Sequence, residues 1–185
     1  MRISVVIPTV GRSSLPAAVV SAGWADEIVI VSDGAHRAAQ YVVGAEKNIN
    51  TAVVYVQIPH FGHQGRPRNI GHRLVSGDFV GFLDDDDAYV EGVGDKIRAA
   101  LEADPRRAHT FMMRKMAGRE QFEGSPCTFI PTANTAPGDW WREKNRGVDT
   151  GVFQRRAQAE FGEVTHAFVI VQLRPHVKGV VQKGV

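Results

Sequence analysis

The sequence predicts an α/β protein, a mostly parallel sheet flanked by helices and built as a single domain. Three observations point there. Short apolar runs recur at positions 3–7, 27–31 and 79–83, the pattern of strands buried on both faces, and 51–58 reads as a further strand. Stretches with apolar residues at helical spacing lie between them. The 185 residues are 43% hydrophobic and 23% charged, an ordinary balance for one globular core.

Taken in order, residues 3–7 (ISVVI) form a strand stopped by Pro8. Ser13 or Ser14 is placed to cap a following helix, on which Leu15, Val19 and Ala22 share a face. Residues 27–31 (EIVIV) form a second strand and end in the turn sequence Ser32-Asp33-Gly34. A weak helix over 36–43 and a third strand over 51–58 follow. Over 65–75 the spacing predicts a helix with Ile70 and Leu74 on one face, where Gly71 permits close approach to the sheet. Residues 79–83 (FVGFL) make a fourth strand that runs directly into four aspartates. Val93, Ile97 and Leu101 mark another helix by their i, i+4 spacing. Beyond residue 105 the pattern loosens. Residues 109–114, 128–131, 151–153 and 167–173 read as strands, and the polar segment 132–147 carries Trp140 and Trp141.

Strands alternating with helices imply right-handed βαβ crossovers, and ligands of such sheets bind at the carboxyl ends of the strands. Segments 8–12, 32–34 and 84–87 each follow a strand, so all three open on the same edge. That convergence locates a candidate site.

The formal net charge is +2. Residues 1–87 hold 7 Lys/Arg against 9 Asp/Glu, and 88–185 hold 15 against 11, so the second half suits an acidic partner. No dense basic tract with interleaved aromatics points to nucleic-acid binding by charge. Cys127 is the single cysteine, which excludes an intramolecular disulfide and fits a reducing compartment. The N-terminal apolar run is too short for a signal peptide, and none approaches the roughly 20 apolar residues that span a bilayer. A cytoplasmic protein without membrane insertion is expected.

Four adjacent carboxylates, 84–87, repel one another unless cations or hydrogen-bond donors compensate. An isolated acidic run is often only a solvated loop. Here it directly follows an apolar strand, and its oxygen-only donors suit Mg²⁺ or Mn²⁺, which take one or two carboxylates plus substrate phosphates.

The segments SVVIPTVGR, IVIVSDGA, GRPRNIGHRLVSGDFVGFLDDDD and GVFQRRAQAEFGE, in this order and spacing, resemble the family-2 glycosyltransferases of the GT-A fold. The likeness covers residues 3–102 well and the remainder loosely. It is most specific over 65–87, where an Arg-Asn-x-Gly helix leads through a Gly-Asp turn and an apolar strand into the acidic run.

The resemblance implies roles. Pro8 and Thr9 fall in the first nucleotide-contacting loop, Asp33 at the base or ribose, and Arg68 at the nucleotide. Asn69 braces the loop. Asp84 and Asp86 match the Asp-x-Asp motif, with Asp86 on the metal and Asp84 on the ribose or a metal-bound water. Asp87 bonds backbone and Asp85 is solvated. Such enzymes often add a C-terminal histidine to the metal, for which His166 and, second, His176 are available. The catalytic base is Asp149 or Glu163, since the acidic pair usual in the family is missing. Trp140 and Trp141 either stack on sugar as an acceptor loop or anchor the segment to the core.

The reading is a GT-A domain with a nucleotide-binding half, 1–87, and an acceptor half, 88–185. It moves a sugar from a nucleoside-diphosphate sugar, UDP-linked, to a hydroxyl of a protein, small molecule or nucleic acid, with Mn²⁺ or Mg²⁺ and with inversion. The rivals are a catalytically silent nucleotide-sugar-binding domain and a nucleotidyltransferase. The latter normally carries a Gly-rich phosphate loop, which PTVGRSSL does not supply.

Overall fold

The computed structural model describes residues 1–115, 121–133, 140–141 and 149–173. Strands β1 (Ile3–Thr9), β2 (Glu27–Asp33), β3 (Ala52–Ile58) and β4 (Phe79–Phe82) pair in parallel in the order β3-β2-β1-β4. Every residue of β1, β2 and β4 is buried, which is why these segments are nearly continuous apolar runs. The second half extends the sheet with mixed directions. Strand β7 (Gln121–Pro131) lies antiparallel to β4, and β6 (Ala108–Lys115) lies antiparallel to β7. Strand β8 (Glu163–Leu173) runs parallel to β6, and β5 (Asp87–Tyr89) pairs antiparallel with β8.

Side chains alternate between two apolar layers, as the strand period requires. One layer joins Ile3, Val5 and Ile7 to α1 (Leu15–Ser21), α2 (Ala38–Glu46) and α4 (Gly94–Ala103). The other joins Val6, Val29, Val80 and Phe82 to Trp140, Trp141 and Phe153, with α3 (Gly65–Leu74) packed against β1 and β2. Gly71 meets the sheet as expected, since a Cβ there would lie 2.3 Å from Val6 Cγ1. The buried residues of α3 are nevertheless Gly65, Pro67, Arg68, Asn69 and Gly71, with Ile70 half-buried against the second layer, and Leu74 is 43% exposed.

Other expectations need correction. Residues 151–153 are not a strand but part of α5 (Asp149–Phe161), on which Phe153, Ala157 and Phe161 recur every fourth residue and pack into the second layer. The expected strand 128–131 begins earlier, at Gln121, and the three-residue β5 was not anticipated. Ser14 is the N-cap of α1 but makes no side-chain capping bond. Among the described residues no helix is long and apolar enough to cross a membrane.

Candidate active site

Strand β1 lies between β2 and β4, so the winding reverses beside it, and the crevice of such a sheet opens there. A cavity of about 600 Å³ occupies that edge. Its walls are Pro8 and Thr9 at the end of β1 with Val10 and Arg12 beyond it, Asp33 of β2, His60, Gly62, His63 and Gln64, Pro67 of α3, and Asp84 and Asp85 after β4. The three segments that follow strands do converge.

The acidic run divides its labour. The Asp85 side chain is 1% exposed, against 24% for Asp84 and 20% for Asp86. Asp85 is therefore not solvated. It accepts hydrogen bonds from Thr9 Oγ1 at 2.6 Å, from the Val10 N–H at 3.3 Å and from Arg12 Nη1, tying the β1 loop to the β4 loop. Burial pushes the Asp85 pKa up, against the opposing pull of Thr9 and Arg12. The Asp87 N–H donates to the Asp84 carbonyl at 3.0 Å, turning the chain so that one oxygen each of Asp84, Asp86 and Asp87 lies within 4.8 Å of the others. Three hard oxygen donors at that separation fit a divalent cation that completes its shell with water or phosphate.

Two arginines face this cluster. Arg68, 3% exposed, donates to Asp84 through Nη2, and its guanidinium carbon lies 4.4 Å from the centre of the Trp141 ring. Arg12 Nη1 reaches Asp85 and lies 3.9 Å from Asp86 Oδ2. Burial opposes the Arg12 charge, but Asp85, then Asp86 and Asp84, outweigh it and raise its pKa above the ordinary value.

Asp33 lines the cavity, yet its carboxylate accepts from the Phe61 N–H at 2.6 Å and the Gly62 N–H at 2.9 Å. It shapes the His60–Gly62 wall. Trp140 and Trp141 are each 1% exposed, which leaves no open ring face for a sugar. Trp141 stacks on Phe153 at 4.4 Å and meets Phe82 edge-on at 5.2 Å, so the anchoring alternative is the one the structure adopts. Asn69 braces that anchor through both ends of its amide, with Nδ2 donating to the Trp141 carbonyl and Oδ1 accepting from its N–H, each at 2.9 Å.

Glu163 and His166 lie elsewhere. Asp87 pairs with Leu173 at the far end of β8, so His166 is seven residues back along the strand, on the order of 20 Å away, and Glu163 is farther still. His166 Nε2 lies 2.9 Å from His109 Nδ1, and Glu163 accepts from Thr110 Oγ1. Neither reaches the acidic cluster. Asp149 begins α5, whose Phe153 packs edge-on against Phe82 at 5.3 Å, two residues before Asp84. His176 lies outside the described residues. Sequence reasoning passed over Arg12 and Asp85. The available signal was their position, one closing the loop after β1 and the other inside an acidic run that needs compensating charge.

The sequence model of glycosyl transferase family 2 matches residues 4–162. The chain belongs to that family. No curated protein matches this family-2 chain. Among solved structures it resembles S. aureus TarS 1–349, with TM-score 0.75 and 19% identity over 94% of this chain and 60% of that one. TarS 1–349 in complex with UDP-GlcNAc aligns at TM-score 0.80, 18% identity, 95% of this chain and 59% of the other. The complex with UDP aligns at TM-score 0.73 and 18% identity, over 95% and 61%. The family-2 chain thus spans about 60% of the length of those structures. At these identities the likeness is one of fold, and it bears out the GT-A expectation.

Proposed function

We propose that this chain transfers a sugar from a nucleoside-diphosphate sugar, UDP-linked as in the TarS complexes, to a hydroxyl acceptor. The supporting observation is the position of the Asp84, Asp86 and Asp87 oxygens, within 4.8 Å of one another beside a cavity of about 600 Å³. The nucleoside occupies the part of the cavity walled by Pro8, Thr9 and Asp33, and Arg68 orients Asp84 toward the diphosphate. Asp84, Asp86 and Asp87 hold Mn²⁺ or Mg²⁺, which when bound supplies Lewis-acid stabilisation of the departing diphosphate. For an inverting transfer, Asp149 at the start of α5 takes the acceptor's proton while the hydroxyl oxygen attacks the anomeric carbon. The second half receives the acceptor, and its excess of base favours an acidic one.

Thermal unfolding with Mn²⁺ and a panel of nucleoside diphosphates tests the donor reading. A ligand at about 100 times its dissociation constant adds roughly 2.7 kcal/mol, about 5–10 °C for a chain of this size. Asp86→Asn removes the metal-dependent part of that shift, and chelation with EDTA does the same in the wild type. Transfer or slow hydrolysis of the matching sugar nucleotide, lost in Asp149→Asn with donor binding kept, separates an enzyme from a silent binding domain. A folded protein that shifts with none of the nucleotides refutes the reading.

A further inference from the structure

We infer that Arg12 sets the order in which the site fills, keeping a bare divalent cation out of the acidic cluster and admitting it together with a nucleoside diphosphate. The inference rests on the donor reading above and goes past it, because that reading assigns Arg12 nothing. The three carboxylate oxygens of Asp84, Asp86 and Asp87, within 4.8 Å of one another, would by themselves attract a free divalent cation. The structure does not leave them by themselves. Arg68 engages Asp84 and Arg12 faces Asp86 at 3.9 Å, so Asp84 and Asp86 each already have a cationic neighbour.

Arg12 is pinned rather than tethered loosely. Its partner Asp85 is 1% exposed and is itself fixed by Thr9 Oγ1 and the Val10 N–H. The preceding Gly11 takes φ 75°, and a Cβ there would lie 2.8 Å from Ala35 Cβ, so the β1 loop packs tightly against the segment after β2. The guanidinium is thereby held at the rim of the cavity, with its side chain 44% exposed.

A cation ligated by Asp86 at about 2.1 Å would sit on the order of 5 Å from that guanidinium. Charges of +2 and +1 at this distance repel by at least a tenfold factor in binding, even with the screening of water. A diphosphate reverses the sign, since the same guanidinium attracts it and its oxygens offset the repulsion felt by the cation. Cation and nucleotide are then coupled, and the coupling is reciprocal. Arg12 acts as a positioning and selecting residue.

The test is calorimetric titration at pH 8 with Mn²⁺ alone, UDP alone and both together. It uses the wild type, Arg12→Gln, which removes the charge but keeps an N–H donor for Asp85, and Arg12→Lys, which keeps the charge. Arg12→Gln is expected to bind Mn²⁺ alone at least tenfold more tightly than the wild type and UDP alone several-fold more weakly. Arg12→Lys stays within about threefold of the wild type for Mn²⁺. Opposite signs for the two ligands cannot come from a damaged fold, which would weaken both. Should the glutamine disturb folding, as read by urea titration, Arg12→Met carries the same expectation. An Mn²⁺ affinity that is unchanged or lowered on removing the charge overturns the inference. Failure of every nucleotide to bind refutes the donor reading instead, and the Mn²⁺-alone titration still decides the role of Arg12.

Discussion

Asn69→Ala isolates the support beneath Arg68. The Asn69 side chain is 2% exposed and its amide closes both backbone polar groups of Trp141, each at 2.9 Å. Alanine leaves a buried N–H and a buried carbonyl without partners, at about 1–3 kcal/mol each, so a loss of about 2–6 kcal/mol is expected. Against a total of about 5–15 kcal/mol that is a large fraction. It appears in urea unfolding as a lowered midpoint with unchanged slope. Asn69→Asp sharpens the test. An ionised carboxylate still accepts from the Trp141 N–H but opposes its carbonyl, so this variant is at least as unstable as alanine at pH 7. It recovers on acidification, because the protonated acid donates to the carbonyl. The new group's folded pKa is raised, so its stabilising contribution is full below the ordinary aspartate pKa and is lost as pH rises through the folded value. Loss below about 0.5 kcal/mol for Asn69→Ala, or no recovery of Asn69→Asp at low pH, would show that the amide pair supports nothing.

Three further outcomes are expected. Gly71→Ala drives a methyl toward Val6 Cγ1, where the ideal separation is 2.3 Å, and should cost about 1–3 kcal/mol by overpacking in the same urea experiment. Phe153→Ala removes the ring packed on Phe82 and Trp141 and should cost about 3–5 kcal/mol, with altered tryptophan fluorescence as a second readout. Burial, with Arg156 and Arg73 adding repulsion, lowers the His72 pKa to about 4 from 6.5. Its stabilising contribution is complete above pH 6.5 and drains away as pH falls from there toward 4, up to about 3 kcal/mol in all. His72→Gln should flatten that part of the stability-versus-pH curve, and a curve unchanged in shape would contradict the assignment.

The parallel half of the fold was legible because burial on both faces leaves a mark in composition. ISVVI, EIVIV and FVGFL could hardly be anything else, and their following loops located the cavity. The second half hid itself for reasons that can be named. Gly151, Val152 and Phe153 look like strand residues in isolation, while the helix they belong to shows its period only at Ala157 and Phe161, between polar neighbours. Of β7 only residues 128–131 read as a strand, yet it begins at Gln121. In the site, the oxygen cluster followed from the run of aspartates, but which members point inward depends on the turn closed between Asp84 and Asp87. His166 was misplaced because a strand's sequence does not say which of its ends lies beside the acidic cluster. That is a matter of register.

The acidic run is bounded on both sides by sheet: β4 enters it, and β5, starting at Asp87, leaves it paired to the last three described residues of β8. Such a span has a fixed length, as a plank between two posts does. One residue inserted or removed between Leu83 and Asp87 would shift which carboxylates face the cavity, so this stretch should tolerate exchange of side chains far better than change of length. A second dependence runs the other way along the chain. Shortening the polypeptide to before residue 171 removes the post on which β5 rests, and carboxylates some ninety positions earlier lose one of their two anchorages.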